Sequence, residues 1–171
     1  GHHHQIAHSL ENEELTLYRR FGYGTSAFSE GWALYSEQLA LEAGLAPDPY
    51  DELGILQSEI FRAVRLVVDT GIHYKKWTRE EAIAYMKSKT GMSDTECRVE
   101  IERYIVWPGQ ALSYKVGMIK ILELREKAMN ALGDKFDIKD FHSAVLDHGN
   151  PPLFIVEQKI DEMISEGLKT N

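Results

Sequence analysis

An all-α fold is predicted by three features of this 171-residue chain. Apolar residues recur at spacings of three and four through nearly every segment, capping residues open those segments, and glycine or proline closes them. No stretch alternates at period two, and no repeat of about 20–50 residues is visible. A length of 171 residues suits a single domain that buries a core without disulfides.

The elements follow in order. Residues 2–16 carry Ile6, Ala7, Leu10 and Leu15 among polar residues, which suits a helix with histidines at its N-terminal end. Phe21-Gly-Tyr-Gly-Thr-Ser26 is a break. A helix from Ser29, its expected N-cap, to Ala43 presents Trp32, Leu34, Tyr35 and Leu39 and is stopped by Gly44, with Pro47 and Pro49 beyond. From Tyr50 to Asp69, residues Leu53, Leu56, Ile60, Val64, Val67 and Val68 keep a helical period, and Gly71 is expected to kink or end that helix. Thr78-Arg-Glu-Glu81 has the form of a capping box and opens a helix to Lys89, closed by Gly91. Ser93 or Asp94 caps the next, to Tyr104 or Ile105, and Trp107-Pro-Gly-Gln110 is a turn. Helices are then expected over Ala111–Leu132, Asp137–Leu146 and Leu153–Gly167, with His148-Gly-Asn-Pro-Pro152 as the last break.

Bulk properties exclude several classes. A formal charge of −8 and the absence of a Lys/Arg cluster argue against a nucleic-acid partner. No apolar run approaches the roughly 18 residues of a membrane-spanning helix. The single cysteine, Cys97, rules out an internal disulfide and a cysteine-based zinc site, and it is compatible with either a cytoplasmic or an exported location.

Three groups of residues carry candidate chemistry. The first is Gly1-His2-His3-His4 with Glu30 and Glu37, the two carboxylates lying two helical turns apart on one face. Imidazoles followed by a carboxylate from a second helix can hold zinc with an open position for water. The histidines read equally as the remnant of an affinity tag, although Gln5-Ile6-Ala7 continues directly into the amphipathic pattern. The second group is the stripe Arg62, Arg65, Asp69, His73, at spacings of three and four. It reads either as an ion-pair ladder or as a site wall, with Asp69 orienting His73 and the arginines holding a carboxylate or anionic intermediate. The third is Arg103-Tyr104 with Gln110 and Tyr114, where a tyrosine hydroxyl can donate to a developing oxyanion or simply edge the core.

Taken together, Gly-His-His-His-Gln-Ile-Ala, Ser-Glu-Gly-Trp-Ala-Leu-Tyr-Ser-Glu, Arg-Ala-Val-Arg-Leu-Val-Val-Asp-Thr-Gly-Ile-His and Arg-Tyr-x-x-x-Pro-Gly-Gln-Ala-Leu-Ser-Tyr-Lys-x-Gly resemble the bacterial family labelled domain of unknown function 885. Phe141-His142 and Gly149-Asn-Pro-Pro-Leu153 match its C-terminal portion, so the likeness spans nearly the whole chain in order. That family is similar to the helical zinc metallopeptidases of the zincin group, which include the carboxypeptidase Taq and angiotensin-converting-enzyme types. Its first block usually reads His-Glu-x-x-Pro-Gly-His-His-x-Gln. This sequence starts at that Gly, which makes Gly1 native and implies that the chain is the C-terminal part of a larger catalytic domain.

The resemblance implies zinc as cofactor, in a site left incomplete in this chain, and a peptide or small amide as substrate. Carried over by position, His2 is a zinc ligand with His3 as the alternative, and Glu30 is the carboxylate ligand. Glu37 lies behind it or toward substrate, and Arg62, Arg65, Asp69 and Gln110 support the site or the substrate. His73, Tyr104 and Tyr114 bind or stabilise the tetrahedral intermediate. His4 departs from the family's usual apolar residue. The general base is the Glu of the missing His-Glu, so the chain alone is expected to lack peptidase activity, and the N-terminal part of the same protein is its expected partner. Apolar surface left by that missing part favours dimerisation or aggregation in isolation. The rivals are a non-catalytic helical binding domain and a hydrolase of esters or non-peptide amides.

Overall fold

In the computed structural model, which describes residues 1–22 and 24–169, every regular element is helical and no strand occurs among the described residues. Tyr23, within the first predicted break, lies outside the described residues. The order is α1 (His2–Glu11), α2 (Leu17–Phe21), α3 (Ser26–Glu42), α4 (Pro49–His73), α5 (Arg79–Thr90), α6 (Asp94–Val106), a 3₁₀ turn (Gln110–Leu112), α7 (Ser113–Leu132), a second 3₁₀ turn (Gly133–Lys135), α8 (Ile138–Leu146) and α9 (Leu153–Lys169). Among the described residues no helix is long and apolar enough to cross a membrane.

Several boundaries differ from those expected. The helix expected over 2–16 ends at Glu11, where Asn12 turns extended and its side-chain amide donates to the Asp147 carbonyl at 3.0 Å. A separate helix, α2, then starts after Thr16. α3 begins one turn earlier than Ser29. The Thr25 carbonyl accepts the first N–H groups, from Phe28 and Ser29, and the Ser29 hydroxyl sits inside the helix. α4 opens at Asp48-Pro49, with Asp48 accepting from the Tyr50 N–H at 2.7 Å and proline at the first helical position. Nor does Gly71 break α4. The helix runs through it to His73, and the Trp77 ring packs where a Cβ would stand. The capping box at Thr78 and Glu81 forms as predicted, and Ser93 with Glu96 makes a second one.

The chain divides into two compact units: Gly1–Tyr35 with Val116–Asn171, and Ser36–Lys115. The first unit buries Phe28, Trp32 and Tyr35 of α3, Ile121 and Leu124 of α7, Phe141 and Val145 of α8, and Ile160 of α9. Within it Gly31 and Gly117 bring α3 and α7 into backbone contact. A Cβ on Gly117 would lie 1.9 Å from the Ala27 carbonyl oxygen and 2.7 Å from the Gly31 Cα, so neither position has room for a side chain.

The second unit packs α4, α5 and α6 against one another. Val64 and Val68 meet Ala82, Met86, Cys97, Ile101 and Tyr104 in one core cluster. Both α3 and α7 begin in one unit and finish in the other.

Candidate functional site

In the first unit, α1 starts at His2, and the imidazole reaches across to Glu30 on α3. Its Nε2 donates to the Glu30 carboxylate at 3.1 Å, with the two side chains 48% and 22% exposed. The predicted ligands His2 and Glu30 are therefore neighbours. His3 is exposed on the same helix turn. Successive helical residues point about 100° apart, so it does not share the direction of His2. Among the described residues no three His, Cys, Asp or Glu side chains stand together as a metal-ligand set.

The same unit holds two histidine contacts with no counterpart in the sequence reading. His8 Nε2 donates to the Asp147 carboxylate at 2.6 Å, tying α1 to the end of α8. His142 Nε2 shares a hydrogen bond of 2.9 Å with the Tyr35 hydroxyl, and its ring meets Trp32 edge-on. Burial, then the positive charge of Arg125, holds the pKa of His142 below the usual imidazole range, and burial does the same for His148.

The second unit gathers most of the remaining candidates, though not in the pairs expected. Asp69 does not orient His73. Both Asp69 carboxylate oxygens accept the Gly109 N–H, at 3.2 and 3.1 Å, and His73 Nε2 donates to the Tyr104 carbonyl at 2.9 Å. Asp69 thereby holds the turn before the 3₁₀ segment, at a glycine whose φ of +80° suits no larger residue. Arg62 also stands apart from Arg65. It donates to the Ser58 carbonyl at 3.0 Å and lies 3.7 Å from Glu37, whose other oxygen accepts from the Ser58 hydroxyl.

Arg65, only 6% exposed, is the centre of the unit's polar network. Its guanidinium lies 4.2 Å from the Phe61 ring centre and 4.6 Å from that of Tyr114. In its plane, Nε donates to the Tyr104 hydroxyl at 2.9 Å and Nη2 to Glu100 at 3.1 Å. Glu100 also accepts from Arg103 at 3.0 Å and from Tyr104 at 2.5 Å, and Arg103 donates to Gln110 at 2.7 Å. Burial alone would raise the pKa of Glu100. The hydrogen bonds from Arg103 and Tyr104, with the charge of Arg65, outweigh it and hold the carboxyl below its usual range. Tyr104 is pushed up, by burial first and then by the Glu100 carboxylate, against the pull of Arg65.

The single Tyr104 proton is thus committed to Glu100. Tyr114 is the tyrosine whose ring is fixed by Arg65 while its hydroxyl has no hydrogen-bond partner among the described residues. Glu100, the hub of the network, was not among the sequence-predicted residues. Its signal was the i, i+3, i+4 run Glu100, Arg103, Tyr104 on one face of α6.

These shifts predict acid weakening in two stages. His142 and His148 are held neutral by the fold, so their contribution is complete above about pH 6.5 and is lost as pH falls toward their lowered values. The Glu100 contribution is complete above about pH 4.3 and is lost as pH falls through its lowered pKa. Amide hydrogen exchange followed against pH is expected to show α8 losing protection before α6. The reverse order would contradict the assignment.

The likeness to known proteins bears on the whole chain. The family model described as "Bacterial protein of unknown function (DUF885)" matches residues 1–160. The crystal structure of the "putative lipoprotein" from Colwellia psychrerythraea is similar to this chain at 53% identity with a TM-score of 0.93, over 97% of this chain and 28% of that one. A "putative lipoprotein of unknown function" from Shewanella oneidensis is similar at 31% identity and a TM-score of 0.85, over 92% and 29% of the two chains. The chain thus spans less than a third of the length of either solved relative. No curated protein matches it. With residues 1–160 covered by one family model and a 53%-identical structure matched over nearly its full length, the chain belongs to the bacterial family of unknown function DUF885.

Proposed function

We propose that this chain is the C-terminal part of a helical, zincin-like zinc metallohydrolase acting on peptides. The observation that carries the reading is the meeting of His2 and Glu30 from two helices. Zinc–nitrogen and zinc–oxygen bonds of about 2.0–2.1 Å at a tetrahedral angle separate neighbouring ligand atoms by about 3.3 Å. The 3.1 Å between His2 Nε2 and Glu30 Oε2 suits two such ligands, and both side chains keep access to solvent. His2 and Glu30 would hold the ion, with His3 the alternative imidazole, and a leading His-Glu in the larger protein would complete the set. Bound zinc would lower the pKa of a coordinated water and polarise the scissile carbonyl.

For the second unit the proposal is recognition of the peptide's own oxygen atoms. Tyr114 offers its hydroxyl to a carboxylate or carbonyl oxygen, and Arg65 fixes its ring. Tyr104, Glu100, Arg103 and Gln110 hold Arg65 in plane, while Asp69 and His73 position the turn and the helix end beside it. Glu37 and Arg62 form a separate pair that can reach substrate. The description of both solved relatives as lipoproteins supports an exported location for the larger protein.

Zinc content and affinity, measured on this chain and on one extended upstream through His-Glu, test the reading. One zinc per chain is expected in the extended form alone, and Glu30→Ala should weaken it about a hundredfold or more, beyond the loss typical of residues that merely support a ligand. Peptide hydrolysis is expected from the extended form only. Absence of zinc from both would leave a helical binding domain.

A further inference from the structure

α4 is longer than α5, the helix with which it packs most extensively. It has 25 residues against 12 in α5, about 37 Å against about 18 Å at the helical rise of 1.5 Å per residue. Along the C-terminal half of α4 the apolar stripe is covered, with Val64 and Val68 in the core cluster and Gly71 under Trp77. At 100° per residue the same stripe continues toward the N-terminus through Ile60, Leu56, Leu53 and Tyr50. There the side chains are 45%, 48%, 59% and 81% exposed. A single exposed leucine is ordinary, but four apolar residues in line at helical spacing form a docking ridge.

We infer that this ridge seats a helix from the part of the family polypeptide that lies outside the matched region. The inference rests on the reading of this chain as the C-terminal part of a larger protein. Length identifies the occupant. More than two thirds of each solved relative lies outside the match, while the matched part keeps the fold at TM-scores of 0.93 and 0.85. From Tyr50 to Ile60 the ridge is about 15 Å long, which takes about three turns of a partner helix packed ridge into groove. Asp51 and Glu52 are exposed beside its N-terminal end, so the occupant carries apolar residues at i, i+3 or i+4, and i+7, with a basic residue on its flank. A second copy of the chain fits less well, because it brings the same acidic flank and a net charge of −8.

Cysteine labelling tests this without metal or turnover, so its failure is distinct from failure of the metallopeptidase reading. Cys97 is buried and contributes little background. In this chain Leu53→Cys and Ile60→Cys are expected to react with a maleimide as fast as Val99→Cys, an exposed position on α6. In the full-length Colwellia protein, cysteines at the positions aligned with Leu53 and Ile60 are expected to react at least tenfold more slowly than here. Equal rates in the two proteins would overturn the inference. Protection of Leu53→Cys that grows with the concentration of this chain would also overturn it, by placing a second copy on the ridge.

Discussion

Arg65→Ala is expected to destabilise the second unit by about 3–5 kcal/mol, because it removes two hydrogen bonds that involve a charged group, each worth about 1.5–3 kcal/mol. The substitution takes a donor from Tyr104 and a cation from Glu100, and it empties the space between the Phe61 and Tyr114 rings. Glu100 keeps Arg103 and Tyr104, so its carboxylate is not orphaned, but the Tyr104 hydroxyl oxygen loses its donor. Arg65→Lys retains the charge yet cannot span Tyr104 and Glu100 with one planar group, so it should recover only part of the loss. Urea unfolding followed at several wavelengths gives the number. A loss below about 1 kcal/mol, the worth of an exposed ion pair, would show that the network is solvated rather than structural.

Gly117→Ala is the second large effect, expected at about 3 kcal/mol, the upper end of the range for overpacking. What the new methyl meets is backbone, the Ala27 carbonyl and the Gly31 Cα, so no side chain can swing aside and α3 must move away from α7. Gly31→Ala should behave alike, since its Cβ would lie 2.4 Å from the Gly117 Cα. Gly54→Ala is the control. It lies inside α4 with nothing near its would-be Cβ, and it should gain about 0.5–1 kcal/mol through helix propensity. Thermal melts of the three variants decide the matter, and an unchanged Tm in Gly117→Ala would contradict the close crossing.

The helical fold was legible because it is written locally. The apolar period, the Thr78–Glu81 capping box and the glycine stops each lie within a few residues of the element that they specify. Two of the misplaced boundaries have partners far along the chain. Asn12 ends α1 by bonding to Asp147, and the Thr25 hydroxyl, in front of α3, donates to Pro151. The candidate site divides in the same way. His2 and Glu30, two of the proposed ligands, are hydrogen-bonded neighbours. Asp69 and His73, one turn apart on α4, looked like a pair, but each turns to a backbone group from outside α4. Neither His8 with Asp147 nor Tyr35 with His142 leaves any trace in spacing, because contact over more than a hundred residues is a property of packing alone.

The order in which the units are threaded has a consequence for synthesis. Ser36–Lys115 is continuous, so all its packing partners have been made once Lys115 leaves the ribosome. The other unit is split around it, and the first half of α3 has no Gly117 to cross until α7 emerges. Domains fold as units while the chain grows. The later segment is therefore expected to form first, and His2–Glu11, too few residues to hold a helix on their own, stay an open segment that a chaperone or protease can reach until α8 emerges.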